Sequence, residues 1–370
     1  MQRTRKTYRG VTLIELLVSM AIGLLVLGAA SVLFKNAMDI SVTLGERADM
    51  QQNARAGINA MIRDVSLAST DLPAGGILLP QSAAPLQPRY GCTGTATAVC
   101  YLTNGANIFK GGRLYYVNPH TLDGAPLSPA PIDPNLNPDA LAVAYADPNM
   151  HLGLVDESPK GDKTGSAIVP QVPPANISSP ANGLQVGDLI WIHNNTGDAV
   201  GVITAFDPAT NIIRFDAAGD PLLINQPGNG TLAGTIPGDI ISNVAIAGTD
   251  PPTVTSTPTA QRIFLVTYFI QVDATGKRTL MRQLNAHPAT PIAQNVENLQ
   301  VSYDTVDTSV SPPVPVVNQR NPASDPVLIR KVNIALTVRT TRPVGPNGEQ
   351  QRLTLTTSVT PRNMSLTAVF

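Results

Sequence analysis

Charge is scarce in this chain: Asp, Glu, Lys and Arg make up 14% of its 370 residues, and the net charge is −1. Gripping a polyanion through electrostatics takes a basic surplus, which is absent here, so composition argues for neither a nucleic-acid nor an acidic partner. Aromatic residues are equally few, at 4% with a single Trp. His120, His151, His193 and His287 are widely separated, and no pair has the H-E-x-x-H spacing of a zinc site. There is no G-x-S-x-G nucleophile elbow. Gly161-Asp162-Lys163-Thr164 lacks both the Gly directly before Lys and the earlier Gly of a phosphate loop. Asp147, Asp156, Glu157 and Asp162 follow no calcium-loop spacing, although Ca2+ takes about 6–8 oxygens, and they read as a solvated loop. The chain is read as non-enzymatic, with no cofactor and no metal.

Cysteine is nearly absent as well. Cys92 and Cys100 lie close together in a Gly/Thr-rich segment, which reads as a small disulfide loop if the compartment is oxidising. Closing so short a loop stabilises by roughly 2–3 kcal/mol in the chain-entropy model. The alternative is two unrelated thiols. Pro (33) and Gly (29) are abundant enough to predict many turns without predicting disorder.

What is present is concentrated at the N-terminus. Arg3, Arg5, Lys6 and Arg9 precede an apolar run over residues 11–34 whose single charge is Glu15. As a helix this run spans about 36 Å, against about 30 Å of bilayer hydrocarbon. The basic leader is expected to stay cytoplasmic, with the C-terminal bulk outside. Three readings compete: a plain anchor, a secretory signal cut near Ala29 and Ala30, and a signal cut on the cytoplasmic side of the run. Glu15 decides among them. A carboxylate in an apolar helix costs on the order of 1–3 kcal/mol, and neither of the first two readings gains from it.

The segment Gly10-Val11-Thr12-Leu13-Ile14-Glu15 resembles the type IV prepilin cleavage motif, with its basic leader before and apolar helix after. The resemblance implies that a membrane aspartyl peptidase cuts between Gly10 and Val11 and methylates the new N-terminus at Val11. Many members carry Phe where Val11 stands. It also implies a role for Glu15 in assembly. The cleaved Val11 amine of one subunit would pair with Glu15 of the next, offsetting two charges in an apolar fibre core. The alternative is that Glu15 reaches the lipid headgroups. Later segments, IFLVTYFIQVDATGKRTLMRQ, PIAQNVENLQVSYD, VLIRKVNIALTVRT and TSVTPRN, resemble PilW-type minor pilins, with the type II secretion pseudopilin J sharing the layout.

The expected fold is therefore α+β and pilin-like: a long N-terminal helix followed by a globular domain dominated by antiparallel sheet. Residues 1–10 form the leader. The helix covers 11–68, with 11–34 in the membrane or fibre core and 35–68 an amphipathic continuation. Ile58, Met61, Ile62 and Val65 share one face there. A loop-rich region covers 69–185, with short strands at 113–117 and 141–145, and a β-rich region covers 186–370. Strands are predicted at 188–193, 199–206, 211–215, 263–272, 278–284, 296–303, 328–340 and 352–360. Gly23, Gly28, Gly45 and Gly57 read as close helix-packing positions or as points of local melting.

The implied function is that of a minor pilin, serving pilus assembly, adhesion, motility or DNA uptake. Its length exceeds that of typical major pilins. The implied partners are the prepilin peptidase, the major pilin and other minor pilins, the inner-membrane assembly platform, a tip adhesin and the membrane itself; nucleic acid stays open. The expected location is the inner membrane before assembly and the extracellular fibre afterwards. A secretion pseudopilin and a secreted binding protein with an ordinary signal peptide are the alternatives.

Overall fold

Helix formation begins where the sequence supplies a cap. In the computed structural model, which describes residues 12–73, 75–78, 113–120, 138–157, 167–194, 198–216, 219–222, 224–225, 258–319, 326–344 and 348–362, α1 runs over Leu13–Leu67. Thr12 precedes it, and no proline interrupts it. The chain divides into two compact units, Met1–Gln51 with Thr340–Gln351, and Gln52–Arg339 with Arg352–Phe370.

In the first unit, α1 is solvent-exposed over residues 13–42. Exposed apolar side chains continue past Phe34 to Met38, Ile40 and Leu44. Glu46 accepts the backbone N–H groups of Thr341 (2.8 Å) and Arg342 (3.2 Å), and Arg47 Nε donates to Gln351 Oε1 at 2.8 Å.

The second unit holds the sheets. Strands β1 (Ile77–Leu78) and β2 (Arg113–Leu114) form a small pair. The large sheet contains β3 (Val117–His120), β4 (Ala140–Glu157), β5 (Ala167–Pro170), β6 (Leu189–His193), β7 (Asp198–Val202), β8 (Ala205–Asp207), β9 (Ile212–Arg214), β10 (Thr259–Val272), β11 (Arg278–Leu284) and β12 (Thr290–Gln294). Its order is β12-β11-β10-β4-β5-β9-β8, with β3 paired to β4 and with β6 joining β10 to β7. A second sheet, ordered β14-β13-β15-β16, contains β13 (Val296–Asp307), β14 (Val314–Gln319), β15 (Ile329–Arg339) and β16 (Arg352–Val359). Among the described residues every pairing is antiparallel. A long N-terminal helix followed by antiparallel sheets is the expected pilin-like α+β fold.

Strand β4 has 18 residues and lies against β10 at the centre of the large sheet. Pro148 and Asn149 fit inside it because the register with β10 shifts between Gln261 and Ile263, and the extra residues bulge out to solvent.

Residues 52–67 of α1 close over the sheets. Ala54, Ile58, Met61 and Val65 are buried on one face and Ile62 is half-buried. Burying each larger apolar side chain contributes about 1.5–3 kcal/mol. Gly57 permits the contact: a Cβ there would lie 2.8 Å from Leu336 Cδ2 and 3.0 Å from Leu280 Cδ2. A Cβ on Gly23, Gly28 or Gly45 would meet nothing within 4 Å. The helix ends as Ser69 and Asp71 take positive φ (71° and 55°), and Ser69 N–H then donates to Ala144 C=O at 3.0 Å.

Candidate assembly site at the helix N-terminus

Thr12 and Glu15 are three residues apart, the spacing at which a hydroxyl and a carboxylate can cap a helix reciprocally. Glu15 N–H donates to Thr12 Oγ1 at 3.3 Å, while Glu15 Oε2 accepts from Thr12 N–H at 3.5 Å and from the Thr12 hydroxyl at 3.4 Å. The motif residues thus supply the start signal of their own helix. Such a cap is worth about 1 kcal/mol. All three contacts are long, so they engage the carboxylate only weakly.

The rest of the segment is apolar surface. Residues 13–34 are all exposed, including Leu13 (80%), Leu25 (75%) and Phe34 (69%). Its best 18-residue window has a mean hydropathy of 2.5, and the helix is long and apolar enough to cross a membrane. The serines are already satisfied: Ser19 Oγ donates to Glu15 C=O and Ser31 Oγ to Leu27 C=O, each at 2.8 Å. Glu15 is left as the one charge over residues 13–34. Its contacts among the described residues are with Thr12.

Gly10 and Val11 lie outside the described residues, as do Cys92 and Cys100. The prokaryotic N-terminal methylation motif matches residues 5–31. The match supports a type IV prepilin-like protein, pilin or pseudopilin. It implies processing by prepilin peptidase and assembly with pilin machinery and membrane, and the type IV pilin-motif family is structural rather than enzymatic. No curated protein and no solved structure matches the chain.

Two buried charge clusters escaped the sequence reading. The first joins α1 to the sheet. Asp64 is 2% exposed and accepts from Tyr145 OH (3.1 Å), Tyr268 OH (2.5 Å), Arg282 Nε (2.8 Å) and Arg282 Nη2 (3.3 Å). Burial, reinforced by the Asp64 charge, raises both tyrosine pKa values above the ordinary phenol range. Burial by itself lowers that of Arg282, but its hydrogen bond and attraction to Asp64 prevail and raise it. Helical spacing did carry a signal, because Asp64 stands three residues after Met61 and seven after Gly57 on the packed face.

The second cluster corrects the solvated-loop reading of Asp147. This residue is 2% exposed on β4 and pairs with Arg262 at 2.6 Å. Arg262 also reaches Asp188 (3.1 Å) and the carbonyls of Gly183 (2.8 Å) and Asn182 (3.0 Å), and Asp188 bonds His287 Nε2 at 2.7 Å. Burial alone would raise the Asp188 pKa; the His287 hydrogen bond and the Arg262 charge outweigh it and hold the carboxyl below its usual range. Among the described residues, no group of three or more His, Cys, Asp or Glu is placed to hold a metal ion.

Proposed function

We propose that this chain is a minor pilin of a type IV pilus, cut between Gly10 and Val11, methylated on Val11 and built into the fibre through its N-terminal helix. The supporting observation is the fully exposed apolar helix over residues 13–34, headed by a weakly engaged carboxylate within the methylation motif. In lipid that surface is solvated by acyl chains; in a fibre, by neighbouring helices. Gly23 and Gly28 have open space where a Cβ would stand, so an adjacent helix can approach them closely. The Val11 amine freed by cleavage is a cation at the apolar edge, and Glu15 of the next subunit is its natural partner. Left unpaired in such a core, either charge costs several kcal/mol. Residues 1–10 are the leader, 11–34 the membrane and fibre segment, and the sheets the exposed, adhesive part. A type II secretion pseudopilin uses the same helix chemistry; secreted-protein export lost with pili intact would assign the chain there instead.

The test compares Glu15→Leu with wild type in membranes and in sheared fibres. The variant is expected to insert, be cleaved and fold, yet be depleted from fibres, with Glu15→Asp intermediate. A bulky residue in place of Gly10 should leave full-length protein in the membrane. Equal incorporation of Glu15→Leu, or a mature N-terminus near Ser31, overturns the reading.

A further inference from the structure

The two faces of the sheet β14-β13-β15-β16 are chemically opposite. Leu299, Val301, Tyr303, Ile334 and Leu336 point inward and are buried, and Leu336 meets Gly57 of α1. The other face lines an open cavity of about 610 Å3, within the size range of small-molecule sites. Its polar lining includes Gln300, Ser302, Asn318, Asn333, Thr356 and Ser358. Val301, Ile334 and Ala335 supply its apolar part, and among the described residues none in the lining is charged. Asn333 organises the group. Its Nδ2 donates to Asp304 Oδ1 (2.8 Å) and Asn318 Oδ1 (3.3 Å), and its Oδ1 accepts from Ser358 Oγ at 2.6 Å. Asp304 pairs with Lys331 at 3.3 Å, which leaves the network without net charge. Ala335 stands opposite Gln300 on one side and Thr356 on the other, and its small side chain keeps the floor open.

We propose that this cavity binds a neutral carbohydrate, accommodating a short oligosaccharide. A charged ligand would find no counter-charge in the lining, and an apolar one would leave amides and hydroxyls without partners. Sugar hydroxyls donate and accept at once, as do the Asn, Gln, Ser and Thr side chains that face them. The network holds Asn318 and Ser358 in place before a ligand arrives, which lowers the ordering cost of binding. Among the described residues no aromatic ring lines the cavity, so affinity per site is modest and gains from several copies. The cavity lies on the sheet face opposite residues 52–67 of α1. Display of many copies along a fibre rests on the pilin reading; the cavity chemistry does not.

The experiment uses the mature full-length protein in a detergent without a sugar headgroup. The probes are immobilised neutral oligosaccharides of hexoses and N-acetylhexosamines, alongside their sialylated and sulfated forms. Neutral glycans are expected to bind, and Ala335→Tyr, which fills the floor, should weaken binding at least about tenfold. Ser358→Leu, on the edge strand, should weaken it likewise should Ala335→Tyr not fold. Thr354→Ala, on the same face outside the lining, should bind as wild type. The proposal is overturned by an absence of neutral-glycan binding, by stronger binding of the charged forms, or by a folded Ala335→Tyr that binds normally. A chain that never enters fibres but still binds neutral glycans would sink the pilin reading alone.

Discussion

Replacing Asp64 by Ala removes the acceptor of four hydrogen bonds from three side chains on β4, β10 and β11. Arg282, a quarter exposed, then keeps a charge with little water to solvate it, and two buried phenols lose their acceptor. Hydrogen bonds to a charged group contribute about 1.5–3 kcal/mol, and removing one partner of a buried pair costs about 3–5 kcal/mol. The second figure governs here, because the loss leaves donors stranded rather than merely unpaired. Asp64→Ala is therefore expected to destabilise the second unit by about 3–5 kcal/mol. Asp64→Asn keeps one acceptor oxygen and should cost less. Trp191, the chain's one Trp, is 7% exposed and donates to Asp198 at 3.0 Å, so its fluorescence reports urea unfolding of this unit directly. Adding Arg282→Met to Asp64→Ala should recover part of the loss, because the stranded cation is gone; Tyr268→Phe should recover less. An Asp64→Ala midpoint within about 0.5 kcal/mol of wild type, or strict additivity with Arg282→Met, would show that the cluster does not hold the helix to the sheet.

Asp188 has a depressed folded pKa, so its pairing stabilises above the unfolded carboxylate value of about 3.9 and is lost as pH falls through the folded value. Urea titrations from pH 7 to 3 should show a shallower acid loss for Asp188→Asn, and an unchanged slope would refute the assignment. Gly57→Leu should destabilise by about 1–3 kcal/mol through overpacking, whereas Gly45→Ala should stabilise by up to about 1 kcal/mol; melting curves that reverse these signs would contradict the packing geometry. Cys92 and Cys100 should resist alkylation in unreduced, denatured mature protein, and two labelled thiols would remove the proposed bridge.

The sequence by itself determined the elements whose signal is local. A 24-residue run that is apolar but for a few hydroxyls and one carboxylate spells a long hydrophobic helix. Strands such as β11 and β16 were legible because runs of β-forming residues are bounded by turn residues. Tertiary structure decided everything that depends on a distant partner. Asp64 has its ion pair only because the fold brings Arg282 to it from 218 residues away. Asp147 read as one of several solvated loop acids without calcium-loop spacing, and only the register against β10 shows a strand that bulges and delivers the carboxylate to Arg262. Gly57 is indistinguishable in sequence from Gly45; what separates them is Leu336 and Leu280, placed by the sheets. Local pattern fixes what a segment can become, whereas the cost of burying a charge or a Cβ is set by the atoms that come to surround it.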